Sequence, residues 1–234
     1  TEPAAPTNVA ATDGSYTDKV TITWTKSTGA TGYQVYRDGA ALGWPGDVAT
    51  KDDTGAGAPT ITPGSAAATD GTYTDKVALS LSGQSATNGT THTYKVRAKN
   101  ATGESSDSGT NTGYRGHGSI TYQWQRSAGD SDASYSNISG ETTASYNDTG
   151  APAPTISHGS ITASDGAHTD KVALSNTGAS TNTGAGRYFT CYLTATGATA
   201  KYSSANRGYR GVGSLTYQWY RSAGDSDASY SSLS

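Results

Sequence analysis

The sequence predicts an all-β protein built from consecutive β-sandwiches, and three observations predict it. Short runs of alternating apolar and polar residues, bounded by Gly, Asn and Asp clusters, recur along the chain in the manner of half-buried strands. Thr, Tyr and Val are plentiful, Met is absent, and Leu, Glu and Lys are scarce, which favours a pleated surface over helices. Residues 121–136 read TYQWQRSAGDSDASYS and return at 216–231 as TYQWYRSAGDSDASYS, with only Gln125 exchanged for Tyr220. Tyr114 and Tyr209, Asp53 and Asp148, and Asp70 and Asp165 stand at the same spacing of 95 residues. That period is too long for a solenoid repeat and close to the length of one sandwich domain.

The expected strands follow in order: VTITW at 20–24, GYQVYRDG at 32–39, TYKVRA at 93–98, ITYQWQR at 120–126, RYFTCYLTA at 187–195 and LTYQWYR at 215–221. Composition narrows the function. Only 15% of the 234 residues are charged and the net charge is -3, so nothing draws the chain to nucleic acid or anionic lipid. No apolar window is long enough to insert into a membrane, and TEPAAPTNV lacks the regions of a signal peptide. With no Met anywhere, the chain is expected to be a mature or excised part of something longer. Abundant hydroxyls and N-x-S/T sequons at Asn88, Asn100, Asn137 and Asn147 fit an extracellular protein at a cell surface. Cys191 is the sole cysteine, so disulfides do not hold the fold.

The opening stretch, PTNVAATDGSYTDKVTITWTKSTGATGYQVYRDGAALG, resembles the first four strands of a fibronectin type III domain. In that family a Trp on the second strand packs on a Tyr of the third, which implies Trp24 against Tyr33, or Tyr36 on the other face. The later strands of such a domain resemble YKVRAxNxxGES, present at 94–105, but PTITPGSAAATDGTYTDKVALSLSG intervenes and itself looks like the start of another sandwich. Next, ITYQWQRSAGDSDASYSNISGETTASY resembles the middle strands of bacterial immunoglobulin-like domains. Its continuation, YFTCYLTATG at 188–197, again follows an intruding PTISHGSITASDGAHTDKVALSNTG.

Two arrangements account for this order. In the interleaved one, each sandwich lends its first two strands to a loop of its predecessor. The units are then 1–58 with 86–116, 59–85 with 117–154 and 181–212, and an incomplete 155–180 with 213–234. In the contiguous one, residues 59–154 form a single permuted sandwich and the first 58 residues are an incomplete half. Short connections favour the contiguous arrangement. Matching strand style and a complete first sandwich favour interleaving. An unfinished final sandwich would expose a sheet edge, to be completed by strand addition from neighbouring copies or further repeats.

The immunoglobulin resemblance places Trp124 and Trp219 in cores beside Trp24, with Cys191 a buried thiol and Leu79 or Leu174 at the usual first cysteine. GYRG at 113–116 and 208–211 reads as a built-in spacer, with Tyr114, Arg115, Tyr209 and Arg210 packing across the junctions. The pairs Asp13 and Asp18, Asp70 and Asp75, and Asp165 and Asp170 flank a Gly and read first as turns. Calcium is the second reading for them, as hard oxygen ligands at a domain junction. Asp130 and Asp132 begin a calcium-like loop that has Tyr135 where the EF-hand turn needs Gly, so a hairpin loop is the better reading. Trp44, in GWPGD, lies on a loop as a junction plug or a candidate glycan contact.

No catalytic constellation is expected, because His92, His117, His158 and His168 fall at unrelated repeat positions and no nucleophile or phosphate motif occurs. No cofactor is implied besides calcium. The sequence thus points to a structural component of a prokaryotic extracellular stalk, filament or surface layer. The alternatives are an adhesion module for a glycan or surface protein, and accessory domains of a secreted hydrolase.

Overall fold

A computed structural model describes residues 1–233, and among these every regular element is a strand. The chain opens with β1 (Thr7–Ala11), β2 (Val20–Thr25), β3 (Gly32–Arg37), β4 (Ala40–Ala41) and β5 (Thr50–Asp53). Alternate side chains of β2 point to one face, so Val20, Ile22 and Trp24 are buried together. β3 and β4 form a hairpin across Asp38 and Gly39, whose φ values of 49° and 86° are those of the type I′ turn that matches strand twist.

The next block holds β6 (Thr60–Thr62), β7 (Ser65–Ala68), β8 (Val77–Ser82) and β9 (Ser85–Thr87). Only then come β10 (His92–Lys99) and β11 (Asn111–Gly113). β10 pairs antiparallel with β3 from Tyr94↔Arg37 to Lys99↔Gly32. The first sandwich therefore has one sheet of order β1-β2-β5 and another of order β11-β10-β3-β4, the strand arrangement of a fibronectin type III fold. Its core joins Val20, Ile22, Trp24, Tyr33, Val35, Tyr94, Val96 and Ala98. Trp24 packs against Tyr33 in a tilted arrangement with 5.4 Å between ring centroids, while Tyr36 lies on the opposite face beneath Lys95 and Arg97.

β12 (Thr121–Ser127), β13 (Tyr135–Asn137) and β14 (Ser145–Asp148) follow, and β14 pairs with β8 in a sheet of order β14-β8-β7. A second excursion holds β15 (Thr155–Ser157), β16 (Ser160–Ala163), β17 (Leu174–Thr177) and β18 (Ser180–Asn182). The chain then returns as β19 (Arg187–Thr194), β20 (Lys201–Tyr202) and β21 (Asn206–Gly208). β19 pairs with β12 from Thr121↔Thr194 to Arg126↔Phe189, and its other edge carries β20 and β21. The second core collects Val77, Leu79, Leu81, Trp124, Phe189, Cys191 and Leu193. At the base of each excursion the outgoing and returning chain pair as a ribbon, β6 with β9 and β15 with β18.

The last elements are β22 (Tyr220–Ser222) and β23 (Tyr230–Ser232), a hairpin. Here two expectations need correction. The strand expected over 215–221 is confined to its C-terminal end, and Trp219 is half-buried rather than a core residue. The cause is the lack of a partner, since β12 is a long strand through pairing with β19 and no described strand flanks residues 215–219 in that way. Leu174 is likewise exposed where Leu79 is buried.

Candidate functional site

The site built most fully by the chain is the junction between sandwiches, and its parts occur twice. At the first junction the Tyr114 N–H donates to the Thr12 carbonyl at 3.1 Å and the Gly14 N–H donates to the Tyr114 carbonyl at 2.9 Å. Gly116 N–H donates to the Tyr16 carbonyl at 2.8 Å. This zips residues 114–116 onto the turn between β1 and β2. The Arg115 guanidinium then donates twice to the Thr17 carbonyl, at 2.9 and 2.8 Å, and once to the Ala56 carbonyl at 3.0 Å. Its own carbonyl accepts from Gly89 N–H at 2.8 Å, where the returning chain enters.

Arg210 repeats the clamp. It donates to the Thr74 carbonyl at 2.8 Å and the Ala151 carbonyl at 3.2 Å, while its carbonyl accepts from Gly184 N–H at 2.9 Å. One planar guanidinium thus joins a turn and the departing chain, which a point-charge ammonium could not span with the same fork, while the arginine's backbone carbonyl holds the returning chain. The glycines answer a steric need. A Cβ at Gly116 would lie 2.2 Å from the Gly14 carbonyl oxygen, and one at Gly211 would lie 2.0 Å from that of Gly71. Tyr114 and Tyr209 cap the turns, and the Tyr114 and Tyr209 rings lie against Gly14 and Gly71.

Sequence reasoning missed a second repeated device. Arg37 donates to both oxygens of buried Asp53, at 3.1 and 2.9 Å, and Gly55 N–H and the Tyr94 hydroxyl, each at 3.0 Å, donate to the same carboxylate. In the second sandwich Arg126 donates to Asp148 at 2.8 and 2.6 Å with Gly150 N–H at 3.0 Å, while Phe189 stands in register with Arg126 as Tyr94 does with Arg37. Burial, with Asp53 adding to it, pushes the Tyr94 hydroxyl well above the usual tyrosine range. The available signal was the recurrence of DTGA, each copy preceded by an Arg on the third strand of its sandwich. These pairs pin the chain at the points where it leaves each sandwich.

The other candidates are scattered. Cys191 is wholly buried against the second core, and burial pushes its thiol up to about 11, so it is a poor nucleophile at neutral pH. Trp44 is partly exposed with the Lys99 ammonium 3.8 Å above its ring, a cation–π contact that occupies one face. Asp13, Asp18, Asp70, Asp75, Asp165 and Asp170 are all exposed. Asp130 is engaged by Arg207 at 2.7 and 2.6 Å, and Asp132 accepts from the Tyr135 hydroxyl, so these two carboxylates are turned to different partners rather than to a common centre. Among the described residues no three His, Cys, Asp or Glu side chains gather as metal ligands. A cleft of about 430 Å³ on the second sandwich is lined by Gln125, Asp132, Tyr135, Thr190 and Tyr202, with Tyr202 56% exposed and stacked on Tyr192.

No family model and no curated protein matches the chain. Two solved structures are similar to parts of it. One, described as "Structure of FN3tt mut", is 17% identical with a TM-score of 0.30, covering 48% of this chain and 94% of that one. The other, chicken CNTN1 FN1-FN3 domains, is 10% identical with a TM-score of 0.15, covering 90% of this chain and all of that one.

Proposed function

We propose that the chain is a load-bearing segment of an extracellular stalk, filament or surface layer on a prokaryotic cell. In this reading its units are interleaved as 1–58 with 86–116, 59–85 with 117–154 and 181–212, and 155–180 with 213–234. One observation carries it: the backbone crosses between the first and second cores three times, near residues 54–60, 87–92 and 113–121, and Arg115 ties those crossings together. A chain of simple beads crosses each junction once and can pivot there. Three clamped crossings share bending and tension, which is what a spacer needs. The reading assigns no reaction to the chain, and no described helix is long and apolar enough to cross a membrane.

The test is rigidity. Spin labels on cysteines replacing the exposed Ala101 and Asn137, in a Cys191→Ala background, should give one narrow distance distribution, broadened by Arg115→Ala. A broad distribution in the unclamped and clamped proteins alike would sink the stalk reading. The Tyr202 cleft and Trp44 favour adhesion as a second reading, and saturable binding on a glycan array, lost in Tyr202→Ala or Trp44→Ala, would establish it.

A further inference from the structure

The duplicated hairpin is preformed in both copies. Gln125↔Asn137, Arg126↔Ser136 and Ser127↔Tyr135 recur as Tyr220↔Ser232, Arg221↔Ser231 and Ser222↔Tyr230. The Ile138 N–H donates to the Trp124 carbonyl at 2.9 Å and the Leu233 N–H donates to the Trp219 carbonyl at 2.8 Å. On its other edge β12 is covered by β19, whose buried Phe189, Cys191 and Leu193 stand opposite Arg126, Trp124 and Tyr122 and close the core over Val77 and Leu79. No described strand covers that edge of residues 216–222. Beneath it, Ile156, Ile161 and Val172 are 59, 68 and 63% exposed, and cavities of about 510 and 220 Å³ are lined by Val172, Leu174, Trp219 and Leu233 and by Ile156 and Leu215.

We propose that this face is a strand acceptor for a β-hairpin from outside residues 1–234 with the residue chemistry of 187–208. The occupant's first strand carries bulky apolar residues at alternate positions and pairs antiparallel with 216–222. The counterparts of Phe189, Cys191 and Leu193 lie opposite Arg221, Trp219 and Tyr217, the register of β19 on β12 shifted by one repeat. Sheet-edge hydrogen bonds supply affinity and the alternating side chains supply specificity. Electrostatics and shape extend the match. Asp225 occupies the position of Asp130, which pairs with Arg207, so the occupant's second strand should bring an Arg to Asp225. Gly166 occupies the position of Gly71: the Tyr209 ring comes within 3.0 Å of a Cβ built at Gly71, whereas nothing lies within 4 Å of one at Gly166. Hairpins 92–113 and 187–208 of a second copy are not the occupant, because each is already paired within its own chain.

The proposal rests on the interleaved reading, but its test uses only the third unit, whereas the spin labels above use only the first two. A fluorescent synthetic peptide of residues 187–211 with Cys191→Ala is titrated into the full chain and followed by anisotropy and hydrogen exchange. The expected result is saturable one-to-one binding with slowed exchange at 216–222. Trp219→Asp in the chain, or Asp in place of both Phe189 and Leu193 in the peptide, should weaken it at least tenfold. Register is read separately: with peptide Cys191 restored and Cys191→Ala in the chain, Trp219→Cys should form the cross-strand disulfide faster than Gln218→Cys. Absent binding, protection confined to 121–127, or peptide-free dimerisation that itself protects 216–222 would each overturn the proposal.

Discussion

The same fifteen of sixteen residues occur in a closed sandwich and in an open one, and the two copies differ in what they become. At 121–136 the segment forms a seven-residue strand with Trp124 fully buried, and at 216–231 it forms a three-residue strand with Trp219 half-buried. Their hairpin registers and turn hydrogen bonds agree, including positive φ at Ser134 and Ser229, both 55°. Turn chemistry is therefore encoded locally. Strand length and Trp burial come from β19, which lies more than sixty residues further along the chain.

The largest expected effect tests that division. Trp124→Ala should cost about 3–5 kcal/mol, the usual range for deleting a buried large aromatic, and it also removes the indole donor to the Thr143 carbonyl at 3.0 Å. Trp219→Ala should cost less, about 1–3 kcal/mol, because its ring leaves water only in part and no described strand closes over it. Chemical denaturation followed by hydrogen exchange in β12 and β22 measures both. Equal costs would break the comparison and place the third unit in a closed core.

Much of the fold could be read in advance, and the failures share a cause. Alternation in VTITW and GYQVYR located β2 and β3, because period two is a property of the strand itself, whereas the Trp24–Tyr33 contact was implied by the fibronectin type III resemblance, with Tyr36 as the alternative. GYRG drew notice by repetition, and its residues lie between the sandwiches. The strand expected over 215–221 was drawn too long because alternation cannot report whether a partner is present. The Arg37–Asp53 and Arg126–Asp148 pairs went unread because each joins positions whose spacing differs, sixteen residues in one sandwich and twenty-two in the other, so no fixed motif exposes them. Trp44 stood out as an exposed aromatic, but its Lys99 neighbour comes from a strand across the excursion.

A second prediction sharpens what covering by β19 means. Cys191 lies on that strand and faces the second core, with its thiol raised to about 11, chiefly by burial, against an ordinary value near 9. A raised acid keeps its proton in the folded state while the unfolded chain loses it, so the stability is complete below about pH 9 and declines as pH climbs toward 11. At about 1.4 kcal/mol for each pH unit, the loss should reach about 2–3 kcal/mol. Urea midpoints measured from pH 8 to 11 should show that slope in the second sandwich, and Cys191→Ala should abolish the thiol's share of it. A flat profile would mean that the second core admits water beneath β19, and the contrast with the open unit would lose its basis.

The smallest effect isolates the part of the segment that needs no partner. Ser134 and Ser229 hold left-handed backbone, which costs a non-glycine residue roughly 1 kcal/mol and costs Gly almost nothing. Each serine carbonyl accepts the hydrogen bond that closes its hairpin, from Ala128 N–H at 3.1 Å and from Ala223 N–H at 3.2 Å. Ser134→Gly should therefore raise the second sandwich's stability by up to about 1 kcal/mol, less whatever freedom Gly adds to the unfolded chain. If the turn is set locally, Ser229→Gly should slow amide exchange at Ala223 by the same factor that Ser134→Gly slows it at Ala128, once global unfolding is subtracted. Unequal factors would show that β19 reaches the hairpin tip as well as the strand, and the boundary between local encoding and partner-dependent structure would move from residue 127 to beyond residue 134.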